Sequence, residues 1–176
     1  GVRADRIVVR KAERTLSLYR GPELLRSYRV ALGSVPIGHK RREGDGRTPE
    51  GNYTIDYRLP DSDFHRALHI SYPSPADTRA ARSAGADPGG LIMVHGMKDG
   101  FGFIGRLHIL VDWTNGCIAV TDREIDEISR LVVERRVEAD HVALREQRLK
   151  FGALDVRREV AVDQVGIAGN DTLEDI

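Results

Sequence analysis

The sequence carries a single cysteine, no net charge and no long hydrophobic run. With Cys117 alone, no disulfide can form within the chain, and the cellular compartment stays open on this count. Lys plus Arg and Asp plus Glu number 27 each, without a dense basic patch, so the charge does not favour binding to nucleic acid. No apolar stretch approaches the roughly 18 residues that a membrane-spanning helix needs. What remains is a globular chain with one free thiol.

The length fits one domain with a sizeable core. We assign this domain to residues 1–135. Beyond it the apolar pattern weakens, and residues 136–176 are predicted to be a C-terminal extension of uncertain structure, with a polar, acidic tail over 163–176 that frays. The chain begins at Gly1 rather than Met, so we expect a trimmed form or a fragment, with any export signal outside the sequence.

Alternation of apolar and polar residues predicts a fold that is mostly β with a few short helices. The predicted strands cover residues 6–10, 15–19, 24–32, 53–57, 67–72 and 91–94. One helix is predicted to begin after Ser74, with Pro75 at its first position, and to end near Gly85. A second helix is predicted after Thr121, which can form a capping box with Glu124.

A long segment rich in glycine, proline and charge, residues 33–51, separates the early strands from the rest and is predicted to be a loop. It lacks the lysine pattern and the strand–loop–helix context of a phosphate-binding loop, which excludes a nucleotide site. Loops of this length are often functional. Because His39 lies in this polar loop, which could fold over a cleft, we count it among the candidate substrate-binding residues.

Cys117 and His95 form the best candidate pair for chemistry. A thiol is strongly nucleophilic once it is deprotonated, and a histidine within hydrogen-bond reach can take its proton. His95 ends a predicted buried strand, which would hold it rigidly. In Thr114-Asn115-Gly116-Cys117, the glycine permits a sharp turn, and the N–H groups of Asn115, Gly116 and Cys117 could converge on an oxyanion.

Structural alternatives remain open for each of these residues. A lone cysteine is often a small buried hydrophobe, and a histidine at a strand end is often simply packed. His108 stands in an apolar run, where a structural role is expected. The remaining histidines are scattered and, with one cysteine, no convincing tetrahedral set is spaced for zinc, so we predict neither a metal nor a cofactor.

Val94-His95-Gly96 followed by Thr114-Asn115-Gly116-Cys117-Ile118 resembles the signature of the L,D-transpeptidase catalytic domain, the YkuD-type family. The segments at residues 44–51 and 68–73 match the family in the same order, and the agreement runs from about residue 5 to about residue 133. The resemblance implies a β-sandwich or cradle of mixed sheets. It also implies that Cys117 is the nucleophile, that His95 is the base and that the Gly96 carbonyl orients the imidazole.

The chain departs from the family pattern at two site positions. Asn115 stands where the family usually has a histidine, and Ala119 stands where an arginine that suits a substrate carboxylate is common. In these features the sequence looks like the subgroup of murein L,D-transpeptidases related to YafK. We expect Arg47, Lys98 or Arg106 to replace the missing arginine, and Thr114 to contribute to substrate binding.

The reaction implied by the resemblance is attack of Cys117 on the L-centre carbonyl of a meso-diaminopimelate–D-Ala bond in a peptidoglycan stem peptide. The resulting thioester is then resolved by an amine, by a lysine of a wall-anchored lipoprotein, or by water. The resemblance further implies inhibition by β-lactams of the carbapenem class and a location in the periplasm or cell envelope. The balanced charge predicts no nucleic-acid partner, and the lack of a long apolar run predicts no membrane span in this chain.

Three other functions remain to be weighed. A carboxypeptidase or amidase on the same fold differs only in the access of water to the thioester. A peptidase of the NlpC/P60 kind is disfavoured because its cysteine precedes its histidine. A non-catalytic wall-binding module with a degenerate site is kept open by Asn115 and Ala119. A catalytic thiol should have a lowered pKa, which separates the enzymes from the module.

Overall fold

The computed structural model describes residues 2–132 and 159–163. Its secondary structure is mostly β, as predicted, with two α-helices and a 3-10 helical segment at Gly102–Leu110 that is interrupted at Gly105. The strands are β1 (Arg6–Arg10), β2 (Thr15–Arg20), β3 (Glu23–Arg29), β4 (Gly51–Ser62), β5 (His65–Ile70), β6 (Met93–His95), β7 (Ile118–Ala119) and β8 (Glu159–Asp163). The helices are α1 (Pro75–Ser83) and α2 (Asp122–Leu131).

The strands follow one another in the order β3-β2-β1-β8-β4-β5-β6-β7. The long strand β4 is shared between two parts of the sheet, because residues 51–54 pair with β8 and residues 55–62 pair with β5. β1/β8 and β6/β7 are parallel and the other pairs are antiparallel, so the sheets are mixed, as the resemblance implied. Ala31 and Ala119 exchange two backbone hydrogen bonds, of 3.0 and 2.9 Å, which connect the chain just after β3 to β7.

The hydrophobic core lies on one face of β5, β6 and β7 and beneath α2. Leu68, Val94 and Ile118 come from these strands, and Ile125 and Ile128 come from the helix; all five are fully or almost fully buried in one cluster. The helix begins at the predicted capping box, in which Thr121 Oγ1 accepts from the Glu124 N–H and a Glu124 carboxylate oxygen accepts from the Thr121 N–H. Since side chains alternate along a strand, the intervening residues of β5 to β7 face the opposite side of the sheet.

Several predicted boundaries differ from the structure. The predicted strand 53–57 is only the centre of β4, which continues through Pro60, and the predicted strand 24–32 ends at Arg29. β8 was not predicted; it lies between β1 and β4 and pairs with both. The division of the chain at residue 135 stays a prediction, and most of the proposed extension, including residues 164–176 of the tail, lies outside the described residues.

The 33–51 loop is attached to the sheet by a buried lysine. Lys11 follows β1 and its side chain is 0% exposed. Its Nζ donates to the Gly38 carbonyl at 2.7 Å, to the Thr48 carbonyl at 2.9 Å and to the Glu50 carboxylate at 2.9 Å. Burial lowers the pKa of Lys11, while the Glu50 carboxylate acts to raise it. All three acceptors lie in the loop, so this one ammonium fixes both of its arms.

Replacing this ammonium tests how far the loop depends on it. We expect Lys11→Met to lower the free energy of unfolding by about 3 kcal/mol, because the Glu50 carboxylate and two carbonyls lose their buried partner. Lys98→Met, at an exposed lysine, is the matched control and should change it by less than about 0.5 kcal/mol. Urea denaturation measures both values, and equal stability of the two variants would contradict this account of the loop.

Candidate active site

Cys117 and His95 lie on neighbouring strands and on the same face of the sheet. His95 is the last residue of β6, and Cys117 immediately precedes β7, which runs parallel to β6 with Val94 opposite Ile118 and His95 opposite Ala119. Val94 and Ile118 point into the core. By alternation, His95 and Cys117 both point away from it, as diagonal neighbours on adjacent strands.

The imidazole of His95 is held in one orientation and shielded from water. Its Nδ1 lies 2.7 Å from the Gly96 carbonyl, which can only accept, so Nδ1 carries the proton and Nε2 keeps its lone pair in the neutral ring. The ring packs against Phe64 and Trp113, with centroids 4.5 and 5.9 Å away, and the residue is 4% exposed. Burial lowers the pKa of His95, against the effect of the Gly96 carbonyl, so the ring is neutral at pH 7.

The thiol of Cys117 is also partly desolvated. Its Sγ donates to the Leu91 carbonyl at 3.6 Å. Burial raises the pKa of Cys117, while the Met93 N–H and the charge of Lys40 act to lower it. This direction is opposite to the lowered pKa expected from the sequence. The site therefore holds a neutral thiol next to a neutral imidazole, and a nucleophilic role for this thiol would require a base to take its proton as the new bond forms.

The turn before Cys117 is organised by Thr114. The buried Thr114 Oγ1 accepts from the Gly116 N–H at 3.1 Å and donates to the Cys117 carbonyl at 2.8 Å. Both functions of this hydroxyl are thus used inside the turn, which gives Thr114 a structural role and lends no support to substrate binding. Gly116 N–H is likewise engaged, whereas the N–H groups of Asn115 and Cys117 have no hydrogen-bond partner among the described residues. The oxyanion roles of all three stay predictions.

The 33–51 loop lies directly on this turn. Gly116 has a φ of +123°, and a Cβ there would lie 2.5 Å from the Arg47 carbonyl. A Cβ on Gly33 would lie 2.2 Å from the Gly46 carbonyl and 3.1 Å from the Gly116 Cα. The backbone at Gly33, at Gly46–Arg47 and at Gly116 therefore approaches so closely that a side chain at Gly33 or Gly116 would not fit. The loop packs directly against the turn that precedes Cys117.

His39 holds the loop rather than covering a cleft. Its Nδ1 accepts from the Glu50 N–H at 2.9 Å, so its Nε2 carries the proton and donates to Asp77 of α1 at 3.0 Å. Both ring nitrogens have partners within the protein. The structure therefore does not support the expectation that His39 contacts substrate; the loop containing it is anchored rather than free.

The three candidates for the missing arginine are placed differently. Arg47 belongs to the stretch that contacts Gly116, and its guanidinium lies beside Gly38 with a buried Nε that has no partner in the described part of the chain. Lys98 is exposed in the loop after β6. Arg106 is exposed and lines a cavity of about 290 Å³ with Tyr28 and Glu124. Only Arg47 is tied to the cysteine turn by a contact of its own backbone.

Lys40 was not predicted as a site residue, but its charge affects the thiol of Cys117. It is 3% exposed, and its Nζ donates to the Asp45 carboxylate and to the Arg42 carbonyl, both at 3.1 Å. Among the described residues, its charge is a cationic influence that acts to lower the pKa of Cys117. A lysine in a charged loop gives no local signal of this kind, because its electrostatic effect on the thiol depends on how the loop docks.

Asp122, the first residue of α2, was also missed. Its Oδ1 accepts from the Met97 N–H at 2.7 Å. A Cβ on Gly96 would lie 2.6 Å from Oδ1, and a Cβ on Gly102 would lie 2.4 Å from Oδ2, so the carboxylate fits between two glycines. A helix N-terminus also favours a carboxylate. Asp122 thus fixes the peptide whose carbonyl orients His95.

His108 is buried, as its apolar neighbours predicted, and burial lowers its pKa. Within residues 2–132 and 159–163, no three His, Cys, Asp or Glu side chains are grouped so that they could hold a metal ion. In that same part of the chain, no helix has the length and apolar character needed to cross a membrane.

The pKa directions of the two central residues predict a pH dependence. Iodoacetamide should alkylate Cys117 with a midpoint above about 8.5, the ordinary thiol value, because burial raises its pKa. His95 should titrate below about 6.5 in an NMR experiment, because burial lowers its pKa and keeps the ring neutral as the pH falls from 7. The same chain unfolded in urea supplies the reference values. An alkylation midpoint well below 8.5 would indicate a thiolate–imidazolium pair instead.

The role of Asp122 is testable by substitution. Asp122→Ala should speed hydrogen exchange of the Met97 amide by roughly 10- to 100-fold, because a hydrogen bond to a charged acceptor is lost. It should also let His95 populate the tautomer protonated at Nε2, which ¹⁵N NMR detects. Asp122→Asn keeps an acceptor oxygen, so we expect it to retain the slow exchange of the Met97 amide and the wild-type tautomer of His95. If the alanine variant keeps the wild-type tautomer, Asp122 does not position the imidazole.

Known proteins share this chain's sequence pattern and architecture. The sequence model of the YkuD family, described as the L,D-transpeptidase catalytic domain, matches residues 4–142. A curated Escherichia coli K12 protein named "Putative L,D-transpeptidase YafK" is 34% identical over 133 residues, which cover 72% of this chain and 46% of that protein.

Solved structures give the same picture of the fold. The helical cell shape determining protein Pgp2 of Campylobacter jejuni superposes with a TM-score of 0.61 at 20% identity over 92% of this chain and 48% of its own. Bd1075 of Bdellovibrio bacteriovorus superposes with a TM-score of 0.54 at 21% identity, with the same coverage of 92% and 48%. The chain spans about half the length of these relatives. By sequence and by architecture, it belongs to the YkuD family of L,D-transpeptidase catalytic domains.

Proposed function

We propose that this chain is the catalytic part of a cysteine-dependent peptidoglycan L,D-transpeptidase. The observation that carries the proposal is the pairing of Cys117 with His95 on one face of β6 and β7, with His95 Nδ1 tied to the Gly96 carbonyl. That bond leaves Nε2 as the basic atom of the imidazole. A nucleophile, a base and a group that orients the base are the three parts that covalent acyl transfer requires.

In the first half-reaction, Sγ of Cys117 attacks the carbonyl carbon at the L-centre of the meso-diaminopimelate–D-Ala bond. His95 Nε2 takes the thiol proton as the S–C bond forms. The C–N bond then breaks, the proton passes from His95 to the departing amine, and D-Ala leaves. A thioester remains on Cys117, and His95 is neutral again, as it was at the start.

The negative charge that develops on the carbonyl oxygen needs donors that are already in place. We assign this role to the N–H groups of Asn115 and Cys117. Gly116 N–H, also predicted as a donor, bonds to Thr114 Oγ1 in the free protein. Lys40 adds a positive charge close enough to stabilise sulfur as it becomes anionic during each half-reaction.

The donor peptide carries carboxylates that need a cationic partner. Because Ala119 replaces the family's usual arginine, we assign this role to Arg47, whose backbone contacts the cysteine turn and whose buried Nε lacks a partner among the described residues. Lys98 and Arg106 are the remaining candidates.

Further properties of the proposal come from the family. The chain acts in the periplasm or cell envelope, on peptidoglycan stem peptides. The acceptor is a second diaminopimelate amine or a lysine of a wall-anchored lipoprotein. β-Lactams of the carbapenem class acylate Cys117, since they present a strained carbonyl to the same thiol.

Two other functions on this fold compete with the proposal. Water in place of the amine makes the chain a carboxypeptidase or amidase with an unchanged first half-reaction. The raised pKa of Cys117 is the observation that favours a non-catalytic wall-binding module. Against the module stands the oriented imidazole beside the thiol, which binding alone does not need.

The test is incubation of the protein with purified disaccharide-tetrapeptide, followed by mass spectrometry of the products and of the intact protein. We expect a thioester on Cys117, release of D-Ala and cross-linked dimers. Cys117→Ala should give none of these, because it removes the attacking atom. Tripeptide without dimers would identify a carboxypeptidase. No thioester and no release of D-Ala would overturn catalysis on this stem peptide and favour the binding module.

A further inference from the structure

A second histidine lies on the same face of the sheet as Cys117 and has no part in the mechanism above. His69 of β5 is 8% exposed, and its Nδ1 lies 2.6 Å from the carboxylate of Asp56. Its ring stacks on Tyr57, with centroids 4.3 Å apart and planes 10° from parallel. The carboxylate and the aromatic ring together hold the imidazole in one plane and one rotation.

The strand register places His69 in line with the thiol. His69 is opposite Met93 in the antiparallel β5/β6 pair. Extending the parallel β6/β7 register by one residue places Cys117 beside Met93, because Val94 is opposite Ile118. Neighbouring strands are about 4.8 Å apart, so the Cα atoms of His69 and Cys117 are separated by roughly 10 Å. Leu68, Val94 and Ile118 face the core, so the residues next to them along the chain, His69, Met93 and Cys117, face the other side of the sheet.

The hydrogen bond to Asp56 also fixes the chemistry of the ring. A carboxylate can only accept, so Nδ1 carries the proton and Nε2 of the neutral ring is a base. Nε2 has no hydrogen-bond partner in the described part of the chain. A carboxylate bonded to Nδ1, with Nε2 left available, is the arrangement that orients the imidazole in many catalytic sites.

We propose that His69, oriented by Asp56, is the base that deprotonates a primary-amine acceptor when it attacks the thioester on Cys117. This inference rests on the proposed function and deepens its second half-reaction. His69 contacts the acceptor, Asp56 positions His69, and Tyr57 fixes the plane of the ring. His95 keeps its role beside the sulfur.

Proton balance explains why amine transfer needs a second base. An acceptor amine arrives as an ammonium with three protons on nitrogen, and the amide product keeps one. One proton passes to His69 Nε2, which frees the electron pair that forms the C–N bond. The C–S bond breaks with its electron pair on Sγ, and the second proton reaches Sγ through His95. His69 then releases its proton to solvent.

The separation of the two residues suits this step. Because the path from the Sγ–C bond to the approaching nitrogen bends at the carbonyl carbon, this bond, the approach of nitrogen to carbon and the hydrogen bond from nitrogen to imidazole place Nε2 roughly 6–7 Å from Sγ. Side chains that rise from Cα atoms roughly 10 Å apart on one face can reach this separation. Water as the acceptor loses only one proton to sulfur on forming a carboxylic acid, so hydrolysis depends less on His69.

The experiment measures the two half-reactions separately in the same mixture of protein and disaccharide-tetrapeptide. The thioester on Cys117 reports acylation, and dimers and tripeptide report transfer to amine and to water. In His69→Gln we expect acylation within about twofold of wild type, dimer formation lowered roughly 100-fold and a product ratio shifted to tripeptide. Free imidazole added to His69→Ala should partly restore the dimers.

His65→Gln is the matched control, because it removes another His–Asp pair of the same strand, in which His65 Nε2 lies 3.1 Å from Asp126. It should leave both products unchanged. Equal loss of acylation and dimers in His69→Gln, unchanged dimers, or failure of imidazole to restore them would overturn the role of His69. Wild-type protein that forms a thioester but only tripeptide would overturn it as well. Absence of any thioester in wild type would instead overturn the proposed function itself, and this inference with it.

Discussion

The close approach of three backbone segments at Gly33, Gly46 and Gly116 is the constraint on which the site depends. A side chain at Gly33 or Gly116 would push the 33–51 loop away from the turn that presents Cys117. Lys11 also holds the loop, through the Gly38 and Thr48 carbonyls and the Glu50 carboxylate. The same docking brings Lys40 within electrostatic range of the thiol. One loop therefore connects the buried lysine with the surroundings of Cys117.

Burial explains the electrostatic state of the pair. Phe64 and Trp113 remove water from around His95, and burial has the opposite effects on the two pKa values, lowering that of the imidazole and raising that of the thiol. Both shifts favour neutral partners over an ion pair. A neutral pair has little charge to solvate before substrate arrives. In the proposed mechanism the charge develops only as the carbonyl is attacked, so the positions of Lys40 and of the proposed N–H donors in the turn matter more there than the resting pKa of the thiol.

Features that depend on residues close together in the sequence could be predicted. The Thr121 capping box, the Ser74 cap and the apolar strand ending at His95 all rest on neighbouring residues. The structure contains the two caps and the strand, but the strand covers Met93–His95 rather than residues 91–94. The cysteine–histidine pair was recognisable because each of the two residues lies in a short motif of consecutive residues.

Contacts between distant segments could not be predicted in this way. In the sequence, Asp122 looks like any acidic residue in the first turn of a helix. Its position between Gly96 and Gly102 is visible only in the folded structure. His39 was assigned to substrate because its loop is polar; its partners, Glu50 and Asp77, are brought to it only by the fold. In the same way, only the folded sheet brings His69, His95 and Cys117 to one side. They lie on β5, on β6 and just before β7, and the other side of these strands faces the core. Asn115 stands where the family usually has a histidine, so the turn before Cys117 supplies no imidazole, and His69 and His95 on this face of the sheet both come from other strands.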